Sequence, residues 1–171
     1  MESIKIIAFA VAAAVAYGVA HDQATAHLCV EYFTIAHPPV FPTRSPFWLT
    51  VGWGIIATWW MGLALGTVLA LAARIGGRPK FGLAEVFPAI RVLLAAMAGS
   101  AAAAGLAAYI VGGQGTIALP PVLWGAIPAD HQPACMAAWA AHAASYGTAL
   151  FGGLFVIGVN WYRRGLAARA N

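Results

Sequence analysis

Apolar residues gather into four long stretches, separated by shorter segments that carry the polar residues and prolines. The stretches run over about residues 4–20, 47–73, 88–111 and 135–161. A helix that crosses the hydrocarbon core of a bilayer needs about 20 predominantly apolar residues, with a range of about 17–25. The pattern therefore predicts an all-α fold: residues 1–171 form a single transmembrane domain, an integral membrane four-helix bundle.

Prolines mark the beginnings of three of these stretches. Pro46 precedes the second, Pro88 opens the third and Pro133 lies just before the fourth. Proline is well tolerated in the first turn of a helix, where its missing N–H would have been unpaired anyway. We therefore expect the second, third and fourth helices to begin near these positions.

The overall composition fits a bilayer better than water. Hydrophobic residues make up 62% of the chain and charged residues only 8%, whereas soluble domains carry about 25% charged residues. The formal net charge is +4. Because the basic residues lie at helix ends rather than along one face, we interpret the charge as a topology signal and expect no nucleic-acid partner.

The positions of the basic residues orient the bundle. One side of the membrane receives Lys5, Arg74, Arg78, Lys80, Arg163, Arg164 and Arg169. The connections on the opposite side contain only Arg44. Under the positive-inside rule, this asymmetry predicts a multi-pass protein of the cell inner membrane with cytoplasmic N- and C-termini.

An alternative interpretation concerns the first stretch. Gly18-Val19-Ala20 satisfies the small-residue rule for signal-peptide cleavage. Cleavage there would leave three spans and place the mature N-terminus outside.

Small residues in the spans predict close helix packing. Gly62 and Gly66 have GxxxG spacing in the second span, and Ala95–Gly105 is rich in alanine and glycine. Small side chains allow helix backbones to approach each other in lipid. No charge is expected at mid-membrane depth, which disfavours a channel or an ion-coupled transporter. A phosphate-binding loop and a Gly-x-Ser-x-Gly elbow are also absent from the sequence.

All histidines fall on the predicted outer side. They are His21, His27, His37, His131 and His142. Asp22, Glu31 and Asp130 accompany them. His142 lies about two turns inside the fourth span, and an ionisable residue inside a span is a candidate functional residue by default.

These residues suggest a metal-binding site at the outer membrane face. If the first helix continues past the membrane, His27 and Glu31 share one face at a spacing that can chelate an ion. His21 would then lie about 15 Å from Glu31 along the axis, so a single site needs a break in the helix or ligands from another helix. The candidate ligands are His21, His27, Glu31, His37 and His142, with Asp22 as an acceptor that orients an imidazole.

Nitrogen and carboxylate ligands suit zinc, iron or copper. Such a site could be catalytic, in redox or hydrolytic chemistry, and its depth is compatible with an apolar or lipid-like substrate. The alternative is that the interfacial histidines bond only to water, headgroups or backbone carbonyls.

Two further functions stay open. A haem-binding electron carrier would use His142 and either His21 or His27 as axial ligands. A non-enzymatic assembly subunit would dock a membrane-protein partner through its polar outer segment. We make no prediction between an enzyme and these alternatives.

The two cysteines, Cys29 and Cys135, both map to the outer side. An oxidising compartment would allow a disulfide, which would tie the first outer segment to the start of the fourth helix. Otherwise they are buried thiols or soft metal ligands. No CxxC motif indicates a thiol-redox enzyme.

Several motifs resemble those of an uncharacterised group of small bacterial four-helix integral membrane proteins. They are His21-Asp22-Gln23, the run Cys29–Pro38, the run Gly52–Trp60 and, more loosely, Ala141–Tyr146. The resemblance implies a bacterial inner-membrane protein. Since no activity is established for the group, it implies no residue roles.

Overall fold

The computed structural model describes residues 1–115 and 126–170, and helices dominate both parts. The helices are α1 (Glu2–Leu28), α2 (Glu31–Thr34), α3 (Pro46–Arg74), α4 (Leu83–Gly113) and α5 (Gln132–Ala170). A single 3-10 turn, Ala129–His131, leads into α5. No strand occurs within the described ranges, which confirms the all-α prediction.

Four of the helices, α1, α3, α4 and α5, are long and apolar enough to cross a membrane. Each contains one of the predicted apolar stretches and extends beyond it. The extension matters most in α1, which continues past residue 20 to Leu28. It carries His21, Asp22 and His27 on a regular helix rather than in a loop.

The beginning of α4 corrects the prediction that Pro88 opens the third helix. The helix begins at Leu83, so Pro88 lies inside it. Carboxylates satisfy the free N–H groups at its beginning: Gly82 N–H donates to Glu85 at 2.6 Å, and Leu83 N–H donates to Glu2 at 3.3 Å. Acidic groups also interact favourably with the positive end of the helix dipole. These bonds explain why the helix starts earlier than the proline.

Helices α1 and α3 pack closely through glycines. A Cβ atom added to Gly18 would lie 2.9 Å from the carbonyl oxygen of Gly54, and one added to Gly62 would lie 2.8 Å from the carbonyl oxygen of Ala10. Both distances are shorter than real Cβ contacts allow. The close approach predicted from Gly62 and Gly66 is therefore confirmed on the α1 side of the bundle.

Helices α4 and α5 form the second close pair. Near the middle of the pair, the hydroxyls of Ser100 and Thr148 lie 2.8 Å apart. Further out, a Cβ on Gly105 would lie 3.3 Å from the carbonyl oxygen of Ala137. The two pairs meet around an inner hydrophobic core that includes Ile6, Leu69, Val86, Ile90 and Val156.

Arg164 holds together the end of the bundle that contains the α3–α4 connection. The charge pattern predicts that this end is cytoplasmic, so it is called the inner end and the opposite end is called the outer end. Its side chain is fully buried and donates hydrogen bonds to the carbonyls of Ala72, Ile75, Arg78 and Pro79. The first two of these acceptors belong to the last turn and C-cap of α3, where carbonyls have no partner within the helix. The guanidinium of Arg164, which belongs to α5, therefore caps α3 and fixes the α3–α4 connection.

A disulfide joins the outer end of the bundle. Cys29, which follows α1, is bonded to Cys135 in the first turn of α5. Cys29 has an extended backbone, with φ −150° and ψ 97°, so α1 ends at Leu28 and α2 takes a new direction. The expectation that His27 and Glu31 share a helical face is therefore wrong, because the helix stops between them.

Candidate metal centre

The inward face of α1 carries a run of buried residues near its outer end. Gly18, Asp22 and Thr25 are buried and follow the spacing of one helix face. Residues of α5 form a corresponding stripe, in which Ala138, His142 and Ser145 are buried. These two faces bring Asp22 and His142 together, although they are 120 residues apart in the chain.

Three potential ligands gather where the faces meet. One ligand atom from each of His21, Asp22 and His142 lies within 4.8 Å of the others. The closest pair is His142 Nε2 and Asp22 Oδ1, at 3.1 Å. Asp22 is 6% exposed and His142 is 7% exposed, so water has little access to either side chain.

The hydrogen bonds of His142 determine which of its nitrogens is available. Nδ1 lies 2.8 Å from the carbonyl oxygen of Ala138, and because a carbonyl only accepts, Nδ1 carries the proton. In a neutral ring, Nε2 then holds a lone pair that faces Asp22 Oδ1. Two acceptors in contact require a proton or a cation between them. A carbonyl bonded to the distal nitrogen is also the usual support of a metal-ligating imidazole.

His21 adds an unpaired nitrogen to this cluster. Its Nε2 atom is buried and has no hydrogen-bond partner among the described residues, a condition that costs about 1–3 kcal/mol for a polar group. The His21 ring contacts the His142 ring edge-on, with centroids 4.5 Å apart. A bound ion near the two rings would provide the missing interaction.

Aromatic side chains cover the cluster. The Tyr32 ring, from α2, lies 4.4 Å from the His142 ring, and the Tyr17 ring stacks on His21 at 5.8 Å. The hydroxyl of Tyr17 lies 3.0 Å from Ser145 Oγ. Burial raises the pKa of the Tyr32 phenol, so this side chain is neutral at physiological pH and acts as an apolar lid with a polar edge.

The other predicted ligands lie outside this group of three. His37 packs against Tyr32 and Trp53, with ring centroids 4.8 Å away in each case, and its Nδ1 lies 2.7 Å from the Tyr32 carbonyl. His27 is exposed, and its Nδ1 bonds to the Gln23 carbonyl at 2.7 Å.

Glu31 is directed away from His27. Its Oε1 atom lies 2.7 Å from Nδ1 of His131. This contact links α2 to the turn before α5 at the outer surface. Glu31 therefore helps to hold α2 in place over His142, alongside the disulfide of Cys29.

Two residues of the site have a larger role in the structure than the sequence indicated. The sequence suggested Asp22 as an acceptor that orients an imidazole, whereas its carboxylate is one of the three clustered ligand groups. Tyr32 was not singled out. Tyr32 is the neighbour of the candidate ligand Glu31 in the sequence. Without the backbone conformation of this segment, however, the sequence does not show which way the Tyr32 side chain points.

The donor set fits a transition-metal ion. Two imidazoles and one carboxylate are ligands of catalytic zinc and of non-haem iron(II). Ligand atoms about 2.1 Å from a tetrahedral ion lie about 3.4 Å apart. The widest separation here is within 4.8 Å, so binding needs only a modest closing of the three side chains.

The chain matches no protein-family model, no curated protein and no solved structure. We therefore infer the function from the chemistry of this cluster and from its position in the bundle.

Proposed function

We propose that this protein is an integral metalloprotein of the bacterial inner membrane, in which His21, Asp22 and His142 hold one transition-metal ion near the outer face. The observation that carries the proposal is a buried cluster of two imidazoles and one carboxylate in which His21 Nε2 has no partner. The uneven distribution of the basic residues supports cytoplasmic termini and, with them, an outward-facing position of the cluster.

A simple His–Asp ion pair is the main competing explanation. It accounts for the 3.1 Å contact between His142 and Asp22. It gives no partner to His21, and a positive charge on His142 disfavours a positive charge on the adjacent His21 ring. A divalent ion satisfies all three groups together, which is why we favour it.

The number of protein ligands indicates what the ion would do. Three protein ligands leave coordination positions free, as in catalytic rather than structural zinc sites. A bound ion would supply Lewis-acid or redox chemistry to an oxygen-containing group. The chain contributes the rest: Ala138 fixes the His142 tautomer, while Tyr17 and Tyr32 exclude water.

The geometry favours a compact ion over haem. Axial histidines bind on opposite faces of a porphyrin, so the macrocycle would have to lie between the two rings. The rings of His21 and His142 are already in edge contact at 4.5 Å. His27, the other axial candidate, is exposed and on a different part of α1.

The proposal is tested by metal content. Full-length protein, purified in mild detergent without chelator, is expected to contain close to one zinc, iron or copper ion per chain by mass spectrometry. His21→Ala, Asp22→Asn and His142→Ala should each reduce this content to background while the protein stays monodisperse. His27→Ala is the matched control and should retain the ion, since His27 makes the same type of bond to its own helix but lies outside the cluster.

Loss of metal during purification is addressed by reconstitution. Purified protein is incubated with zinc, with iron(II) under anaerobic conditions or with copper, and then desalted. If none of the three is retained, or if His27→Ala loses the ion as readily as His142→Ala, the metal-site proposal is wrong. A haem absorption band in the wild-type protein would instead support the electron carrier.

A further inference from the structure

A large apolar groove opens on the outer half of the bundle, between α1, α4 and α5. Its volume is about 630 Å³, which is in the range of ligand pockets. One wall is α1 from Tyr17 to Leu28, and the other is α4 from Ala98 to Tyr109. Each wall spans 11 residue steps, or about 16 Å along a helix.

The groove exists because its lining consists largely of small residues. Ala24 and Ala102 lie on its exposed rim, while Ala101, Gly105 and Ala141 form the buried floor. Among the described residues, no Asp, Glu, Lys or Arg lines it. Since its walls are two helices that are long and apolar enough to span a membrane, the groove opens toward lipid rather than water.

The groove and the candidate metal centre share two side chains. Tyr17 and His21 line the groove and also belong to the cluster around His142. On the other side of this cluster, an apolar cavity of about 110 Å³ continues between the two helix pairs toward Leu69 and Val156. Tyr17 and His21 also line this cavity, so these two side chains border both the groove and the interior space.

We propose that this groove binds the hydrocarbon chain of a bilayer lipid or lipid-like amphiphile, which reaches the metal centre laterally from the membrane. The chain lies against the alanines of α1 and α4. For its chemistry this inference rests on the proposed metal site, but binding of the chain to the groove does not require the ion. The substrate class is thus an amphiphile with a long apolar chain and an oxygen-containing group, rather than a water-soluble metabolite.

The test uses a photoactivatable fatty acid that carries a diazirine in its chain, incorporated into phosphatidylcholine nanodiscs with the protein. After illumination, labelled peptides are quantified by mass spectrometry. We expect labelling to concentrate on the groove walls of α1 and α4, above the level at other lipid-facing positions. Ala102→Phe fills the groove and should reduce this labelling several-fold.

Ala103→Phe provides the matched control. Ala103 is the neighbouring residue on α4, is also exposed and does not line the groove. It should leave labelling unchanged. Even labelling over the whole lipid-facing surface, or an equal effect of both substitutions, would overturn the inference. A change from dimer to monomer in Ala102→Phe alone, with even labelling, would show that a second copy of the chain occupies the groove.

Metal content measured on the same samples separates the two proposals. Both phenylalanine variants should keep the ion, because neither changes a ligand. Groove-specific labelling without any metal in the wild-type protein would leave the groove inference standing and overturn the metal site. Retained metal with even labelling would leave the metal site standing and overturn the groove inference.

Discussion

His27 and His142 show how the surroundings of a residue, rather than its local bonding, create a candidate site. In both, Nδ1 bonds to the carbonyl four residues earlier, at 2.7 Å in His27 and 2.8 Å in His142. The difference lies in the other nitrogen. Nε2 of His142 faces a buried carboxylate across the bundle, whereas His27 is exposed. Only His142 therefore combines a fixed tautomer with a second ligand.

At the residue scale, Tyr32 is expected to protect the cluster through its ring. Because burial raises the pKa of its phenol, the side chain stays protonated at neutral pH and does not supply an anionic ligand. Tyr32→Phe should therefore keep the metal, while Tyr32→Ala should speed its loss to a chelator at least several-fold. The measurement is the rate of metal release after addition of EDTA. Equal rates in the two variants would show that the ring does not shield the site.

Residue spacing predicted part of this site and failed for the rest. His142 was identifiable because an ionisable residue inside an apolar stretch is conspicuous. The pairing of His27 with Glu31 required α1 to continue through residue 31. The helix ends at Leu28, and the residue that follows is a cysteine rather than a glycine or proline that would mark a helix end. The contact of Asp22 with His142 joins positions 120 residues apart, and no local pattern encodes it.

At the element scale, α5 connects the site to the inner end of the bundle. Its buried stripe includes His142, Ser145, Ala149, Val156 and Arg164. The same face of one helix thus supplies a candidate ligand near one end and the cap of α3 near the other. Such a helix fixes the depth of His142 relative to α1.

Arg164→Ala is expected to destabilise the bundle by about 3 kcal/mol, since it leaves one buried and three partly buried carbonyls without their donor. Arg164→Lys should be nearly as harmful because one ammonium cannot reproduce the planar fork that reaches four carbonyls. The measurement is thermal unfolding in detergent, followed by tryptophan fluorescence.

Arg169→Ala is the control for these variants, because Arg169 is exposed near the end of the same helix. Its effect should be within about 0.5 kcal/mol of zero. If Arg164→Ala unfolds at the same temperature as Arg169→Ala, the capping role is wrong.

The helices themselves were predictable because an apolar run long enough to cross a bilayer is a strong signal. Their ends were not. The beginning of α4 depends partly on Glu85, a local signal three residues after Gly82, and partly on Glu2, which comes from α1 and is not visible in the α4 sequence. Local helix propensity does not predict a helix end that depends on a side chain from another helix.

At the scale of the whole molecule, the α1–α3 pair and the α4–α5 pair are connected to each other at both ends of the bundle, with space between them. The disulfide from Cys29 to Cys135 joins the outer end, and Arg164 joins the inner end. Between these two connections lie the cluster of His21, Asp22 and His142, the cavity and the groove. A bundle that is fixed at its ends can keep an interior space without collapsing.

The topology predicted from the charge pattern can be tested with reporter fusions. We expect a fluorescent protein fused after residue 170 to fold in the cytoplasm and fluoresce. Alkaline phosphatase inserted in the segment between α2 and α3 should be active, because that enzyme requires an oxidising compartment for its disulfides. The opposite pattern of activities would reverse the orientation and place the histidine cluster on the cytoplasmic side.

X-ray absorption spectroscopy of the metal-loaded wild-type protein tests the central claim most directly. The predicted result is a first shell of nitrogen and oxygen atoms at about 2.0–2.2 Å, with imidazole scattering from two histidines that falls to one in His142→Ala loaded at saturating metal. A shell that contains sulfur, or histidine scattering that is unchanged in His142→Ala, would contradict a site formed by His21, Asp22 and His142.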